Sequence, residues 1–150
     1  MYRAVRWRGR ALLAAGVIVF LLASGVLARW LSLENVERSA VLVLLEDEAR
    51  GDGAAMLAAL HGCDRQCRAN VTADARRLKR PGRVEILAYQ SPTAYSLSSA
   101  EGLTRVAWKS SLRRLPVVQC VKVARNGNAL TGLTIRLLAV SAEIPDTADC

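Results

Sequence analysis

The sequence has a single histidine and no grouping of residues that indicates catalysis. His61 stands at the predicted end of a short helix, where a cation complements the helix dipole. No nucleophile or carboxylate is arranged around it by any recognisable spacing, and no zinc-type pattern of cysteine and histidine occurs. We therefore predict no catalytic residues, no metal site and no cofactor.

Charge is absent from Ala11 to Ala28, a run of eighteen apolar or small residues. As a helix this run spans roughly 27 Å, about the thickness of a hydrocarbon core. Arg29 can extend its charge to the interface and Trp30 suits that depth, so we predict a transmembrane anchor over residues 11–33. A cleaved signal peptide is the alternative, since small residues near Ala23 are compatible with a signal peptidase.

Acidic residues are absent from residues 1–33, which contain five arginines. Four of them lie in residues 1–10, so the positive-inside rule predicts a cytoplasmic basic tail and an extracytoplasmic remainder. Arginine outnumbers lysine 18 to 3 and alanine is abundant, a composition that indicates a GC-rich bacterial genome and hence a bacterial cytoplasmic membrane. Of the formal charge of +8, this part contributes +5, and the other residues contribute +3 from 16 basic and 13 acidic side chains. The folded part is only mildly basic, which argues against nucleic-acid binding.

Three helices are predicted after the anchor. The first begins at Val36 behind a capping Asn35 and ends before Gly51, and a short one opens at Asp52 or Gly53. The third follows Asp64, and its apolar stripe has helical spacing. The stripe consists of Cys67, Val71, Ala75 and Leu78.

After Gly82 the pattern changes to short β-type runs separated by turn residues. Asn126-Gly127 is the strongest hairpin pattern, because both residues tolerate positive φ. We predict an α+β fold with three helices on a curved antiparallel sheet of four to five strands, over residues 34–144, followed by a polar tail at 145–150. The predicted strands are 84–89, 93–97, 103–109, 117–123 and 133–140.

A helix that ends at Ala49-Arg50-Gly51-Asp52, a small helix AAMLAAL, a third helix and then a curved sheet resemble the nuclear transport factor 2-like superfamily. This superfamily includes ketosteroid-isomerase-like and cystatin-like folds, and the resemblance covers roughly residues 35–144. Similar bacterial proteins with one N-terminal span include type IV secretion scaffold proteins and proteins associated with lipid-import systems. The resemblance implies a cone-shaped α+β barrel with a pocket between helices and sheet.

Four cysteines in an exported domain predict two disulfides. Of the three possible connectivities we favour Cys63–Cys67, one helical turn apart, and Cys120–Cys150, which ties the polar tail to a strand. The Cys-x3-Cys spacing differs from the Cys-x-x-Cys of redox enzymes.

Two sets of side chains are candidates for binding. Aromatic residues on the strands would make the cone pocket suitable for an apolar or lipid-like ligand, or would simply fill the core; they are Tyr89, Tyr95 and Trp108. A dense basic run at the end of the third helix is either a solvated helix terminus or a contact site for anionic headgroups or an acidic protein; it consists of Arg76, Arg77, Lys79, Arg80 and Arg83.

The sequence thus predicts a non-enzymatic, membrane-anchored extracytoplasmic domain that acts as a protein interaction or assembly module. A small apolar-ligand or lipid carrier that uses the cone pocket is the alternative. An isomerase-like or hydrolase enzyme is the third hypothesis, and it requires a buried carboxylate or tyrosine pair at the pocket.

Overall fold

The computed structural model describes residues 2–80, 82–95, 99–112, 115–128 and 132–150, without the side chains of 2–11, 29–34, 94–95, 128 and 133. Helices come first in the chain and strands follow, as predicted. The helices are α1 (Tyr2–Arg50), α2 (Gly53–Ala59) and α3 (Arg65–Arg77), with a 3-10 turn at Pro92–Tyr95; the strands are β1 (Val84–Gln90), β2 (Ala100–Ser110), β3 (Val117–Asn128) and β4 (Gly132–Val140).

The sheet has the order β1-β2-β3-β4, and each strand pairs antiparallel with its neighbour in the chain. This confirms the α+β class and the four-stranded antiparallel sheet. The prediction of a barrel is wrong, because the described sheet is not closed: β1 and β4 form its two opposite edges. Bulges between Ile86 and Ala88 and between Lys122 and Val123 add local twist.

Helix α1 continues without interruption from Tyr2 to Arg50. The predicted helix start at Val36, capped by Asn35, is therefore wrong, although Val36 to Arg50 is helical. Residues 29–35 contain neither proline nor glycine, so nothing in the backbone forces a break there.

Within the described side chains, which in α1 are those of residues 12–28 and 35–50, no helix offers an apolar stretch of the length and hydropathy that crossing a membrane requires. The anchor predicted over residues 11–33 extends at both ends into side chains that lie outside the described residues.

Helix α1 ends at Gly51 as predicted. Gly51 has φ 77°, and its N–H donates to the carbonyl of Glu48 at 2.9 Å. The N–H of Asp52 donates to the carbonyl of Asp47, also at 2.9 Å. This pair of bonds is a Schellman motif, which satisfies the last carbonyls of the helix. The carboxylate of Asp52 then caps α2 by accepting from the Ala55 N–H at 3.0 Å.

The core lies between α1 and the sheet. Helix α1 contacts both β1 and β4, and α2 and α3 pack on α1. The predicted stripe of α3 is confirmed: Val71, Ala75 and Leu78 are buried and Cys67 packs against the core. The largest fully buried apolar side chains of the core are Leu44, Leu45, Met56, Leu78 and Trp108.

Two predicted turns and one predicted strand are displaced. The β3–β4 hairpin exists, but Asn126 and Gly127 lie within β3, paired with Thr134 and Leu133. The hairpin connection covers residues 129–131, outside the described residues. Continued pairing is favoured over an early turn because it adds ladder hydrogen bonds.

The 3-10 turn at Pro92–Tyr95 replaces the first part of the strand predicted at 93–97. Proline fixes φ and has no N–H to donate to a ladder, which disfavours a strand here. Gly102, which falls in the predicted turn between the strands 93–97 and 103–109, instead lies in β2. A Cβ there would come within 2.9 Å of side-chain carbons of Pro92 and Thr93, so glycine lets the 3-10 turn pack directly on β2.

Candidate functional site

A carboxylate from α1 lies fully buried against the sheet. Glu37 Oε1 accepts from the Tyr89 hydroxyl at 2.6 Å and the Thr104 hydroxyl at 3.1 Å. Its other oxygen, Oε2, accepts from Arg125 Nε at 2.7 Å and the Thr93 hydroxyl at 3.1 Å. The side chains of Glu37 and Arg125 are both 0% exposed. One helix, three strands and the 3-10 turn therefore meet at a single carboxyl group, which also forms a buried ion pair.

The surroundings of Glu37 keep it ionised. Burial by itself raises the pKa of Glu37, but hydrogen bonds from Tyr89 and Ser91, and then hydrogen bonding and charge from Arg125, outweigh it. The pKa of Glu37 is consequently below its ordinary value of 4.5. Burial and the bond to Glu37 raise the pKa of Tyr89. Both groups are held in states unsuited to proton transfer near neutral pH.

A second buried carboxylate, Glu48, lies eleven residues further along α1. Its Oε1 accepts from Gln119 Nε2 at 2.9 Å, and Gln119 Oε1 in turn accepts from Trp108 Nε1 at 2.7 Å. Glu48 Oε2 has no hydrogen-bond partner within the described part of the chain. Burial is the largest cause that raises the pKa of Glu48 to about 7; Gln119 opposes it and the charge of Asp74 adds to it.

The sequence reasoning began a helix at Val36 and gave no role to the acids on it, so it missed these two carboxylates. The pattern that reveals them is helical spacing. Glu37, Val41, Leu44 and Glu48 recur at steps of three or four and so lie on one helical face. All four are 0% exposed.

The aromatic residues predicted to line a pocket have different surroundings. Trp108 is 0% exposed and packs in the core, with its N–H bonded to Gln119. Tyr89 is half-buried and bonded to Glu37. The side chain of Tyr95 lies outside the described residues. Trp108 therefore fills the core, the alternative stated for these aromatics.

The five residues of the predicted basic run are brought to one end of the domain but are not equivalent. Arg76, Arg77, Lys79 and Arg83 are exposed. Arg80 is half-buried and structural: its backbone N–H donates to the Ala49 carbonyl at 2.9 Å and its Nη1 to the Leu115 carbonyl at 3.1 Å. We call the four exposed residues the basic surface.

The basic surface lies beside the C-terminal end of α1. Arg80 bonds to Ala49, and the Lys79 side chain lies 3.0 Å from where a Cβ on Gly51 would be. Ala28, the last residue of the uncharged run, is 22 residues before Arg50, which corresponds to about 33 Å along a helix. The basic surface and the uncharged run are therefore at opposite ends of the segment of α1 that follows Ala28.

Both predicted disulfides are confirmed. Cys63 pairs with Cys67 and Cys120 with Cys150, with Cα–Cα distances of 5.3 and 5.7 Å. The C-terminal tail is also held by Arg105, whose Nε donates to the Ala148 carbonyl at 3.1 Å. The tail predicted at 145–150 is thus fixed against β2 and β3.

No protein-family model, no curated protein and no solved structure matches this chain. The superfamily resemblance stays a prediction, and function has to be argued from the site alone.

Proposed function

We propose that this chain is a membrane-tethered interaction module whose basic surface binds an acidic segment of a partner protein on the extracytoplasmic side of a bacterial membrane. The observation that carries the proposal is the exposure of Arg76, Arg77, Lys79 and Arg83 beside the C-terminal end of α1, which lies about 33 Å along the helix from the N-terminal apolar run. The domain itself would be a rigid support that holds this surface at a fixed height.

The proposed tether is supported by the N-terminal half of α1. Eighteen residues without charge follow four arginines, the order that places the N-terminus in the cytoplasm. The large apolar side chains from Leu12 to Leu27 are 53–74% exposed in the isolated chain. Apolar surface of this extent is unfavourable in water and is covered by burial in lipid or in protein. Intact-mass measurement of the protein extracted from membranes separates an anchor from a cleaved signal peptide.

Distance favours a protein partner over lipid headgroups for the basic surface. About 33 Å of helix separates Arg50 from the end of the uncharged run. Screening at physiological ionic strength limits attraction to about 8 Å, so a surface at that height does not interact with the membrane that holds the anchor. An acidic protein segment can reach it from the extracytoplasmic space.

The buried groups support a structural domain over the two competing functions. An enzyme of the isomerase type needs a carboxylate that faces a substrate, whereas Glu37 is paired on both oxygens. A lipid carrier needs an open interior, whereas Trp108, Leu44 and Leu45 fill the space between helix and sheet. Native mass spectrometry of the purified protein is expected to show no bound lipid beyond detergent.

A matched pair of charge-reversal variants tests the proposal. Arg76→Glu/Lys79→Glu/Arg83→Glu changes the basic surface. The control, Arg38→Glu/Arg65→Glu/Arg136→Glu, changes the net charge equally at three exposed positions elsewhere. Each variant is expressed in the source cells and crosslinked in intact membranes, and the partner is identified by mass spectrometry.

The wild type and the control are expected to recover the same acidic partner in equal amounts. The basic-surface variant is expected to recover at least ten times less of it. Raising the salt concentration should weaken the complex, because exposed charge pairs are screened. Equal recovery by all three proteins contradicts the proposal. Binding of the wild-type domain to anionic vesicles, lost in the basic-surface variant, would instead favour the headgroup interpretation.

A further inference from the structure

Strand β1 is an edge strand, and its backbone presents hydrogen-bonding groups on the free side. Its neighbour in the described sheet is β2. The Ser111 N–H donates to the Arg83 carbonyl at 2.9 Å, so these two residues form a hydrogen-bonded pair just before β1 begins. Such pairs alternate with non-hydrogen-bonded ones along an antiparallel ladder, so the backbone N–H and C=O groups of Val84 and Ile86 point away from β2. Among the described residues, nothing is hydrogen-bonded to these groups.

The opposite edge of the sheet is partly covered by the chain itself. Leu60, at the end of α2, forms an isolated parallel bridge with Leu137 of β4. The His61 N–H donates to the Leu137 carbonyl at 2.7 Å. Unpaired backbone groups at a sheet edge pair readily with another chain, which is why proteins usually cover or shorten such edges. With seven residues and no proline, β1 is an edge to which a partner can add a strand.

Positive charge lies beside the first half of β1. Arg83 comes immediately before the strand and belongs to the basic surface, as does Lys79 four residues earlier. The one acid on β1, Glu85, is paired with Lys109 at 3.0 Å. A segment on the free side of residues 84–86 therefore lies next to exposed cations, and acidic side chains on that segment complement them.

A bulge in β1 favours a short segment of another protein over a second copy of this chain. Leu87 is the extra residue, because the pairing with β2 shifts between Ile86 and Ala88. A bulge interrupts regular pairing and bends the strand. Two copies of β1 would each bring a bulge to the contact, whereas a regular extended segment meets only one.

We infer that the acidic partner segment binds in extended form, as an added strand along residues 84–86 of β1, with its acidic side chains beside Arg83 and Lys79. Backbone hydrogen bonds to Val84 and Ile86 supply affinity, and the neighbouring cations select an acidic sequence. The inference rests on the proposed function, because it takes the basic surface as the site of the acidic partner.

Two synthetic peptides test the inference on the full chain in mild detergent. The first is a hexapeptide of alternating glutamate and valine, capped at both ends, and the second is the same peptide with every backbone amide N-methylated. Both have the same charge and the same side chains, but the methylated peptide has no N–H to donate to β1. Isothermal titration is expected to show that the first peptide binds at least about tenfold more tightly.

Amide hydrogen exchange, followed residue by residue by nuclear magnetic resonance, locates the bound peptide. In the free protein, the N–H groups of Val84 and Ile86 should exchange faster than that of Glu85, which points towards β2. The unmethylated peptide is expected to slow the exchange at Val84 and Ile86 by at least about tenfold and to leave Glu85 unchanged. Unchanged exchange at both residues overturns the inference. Slow exchange at both residues in the free protein also overturns it, because the edge is then already occupied, as by a second copy.

The variant Arg76→Glu/Lys79→Glu/Arg83→Glu separates this inference from the proposed function. Equal binding of both peptides to the wild type, lost in the variant, overturns the added strand and leaves the proposed function intact. Slowed exchange at Val84 and Ile86 that persists in the variant supports the added strand and contradicts the proposed function. Absence of binding by either peptide to the wild type overturns the inference.

Discussion

The protonation of Glu48 makes the stability of this fold depend on pH in a direction opposite to that of most carboxylates. The pKa of Glu48 rises from 4.5 to about 7 in the folded protein, mainly through burial. The folded state therefore binds a proton that the unfolded state has released between these two values, and stability falls as pH rises through that window. A shift of this size corresponds to about 3 kcal/mol.

Glu48→Gln removes the charge and retains an oxygen that can accept from Gln119. We expect the free energy of unfolding of the variant, relative to that of the wild type, to rise by about 3 kcal/mol between pH 4.5 and pH 8. Any cost of the substitution that does not depend on pH leaves this rise unchanged. Urea unfolding of the full chain in mild detergent, followed by near-ultraviolet circular dichroism across this range, measures the difference. Glu46→Gln, two residues earlier on the same helix, is the control. If Glu48→Gln retains the pH dependence of the wild type, the buried ionised state of Glu48 is not its cause.

Three further predictions follow from the buried ion pair and the disulfides. Arg125→Met leaves the Glu37 charge buried without its counter-ion and should lower the free energy of unfolding by about 3–5 kcal/mol. The double variant Arg125→Met/Glu37→Met should restore much of this loss, and chemical denaturation measures both variants. Since the pKa of Glu37 is lowered, the stability it contributes should persist above pH 4.5 and decline in acid, as a pH series of unfolding midpoints will show. Cys120→Ser/Cys150→Ser should cost about 3–4 kcal/mol and Cys63→Ser/Cys67→Ser about 2, so the first variant should melt at the lower temperature.

The parts of the fold that were predictable are those decided by local chemistry. The stop at Gly51 needs a positive φ that glycine provides, and Asp52 and Asp64 cap α2 and α3 with their carboxylates. The two disulfides followed from an even number of cysteines in positions that chain geometry can join. Pairing of neighbouring strands followed from their short connections.

The parts that were not predictable depend on contacts distant in sequence. Asn126-Gly127 has the composition of a tight turn, yet pairing with β4 continues past it. The strand predicted at 93–97 begins as a 3-10 turn, in which the Thr93 hydroxyl can reach Glu37, 56 residues earlier. The burial of Glu37 could not be predicted, because its partner Arg125 is 88 residues away.

The two buried carboxylates also explain how α1 is held in one position on the sheet, with its C-terminal end beside the basic surface. Apolar contacts alone allow a helix to rotate or slide on a sheet at moderate cost, since one aliphatic side chain replaces another. Glu37 and Glu48 lie about 16 Å apart along the helix. Only one register of α1 on the sheet lets Glu37 bind Arg125 while Glu48 binds Gln119. A shift by one residue would rotate both acids by about 100° and leave Arg125 buried without a partner, at a cost of several kcal/mol. These buried polar contacts therefore fix the rotation and register of α1 on the sheet and hold its C-terminal end beside the basic surface.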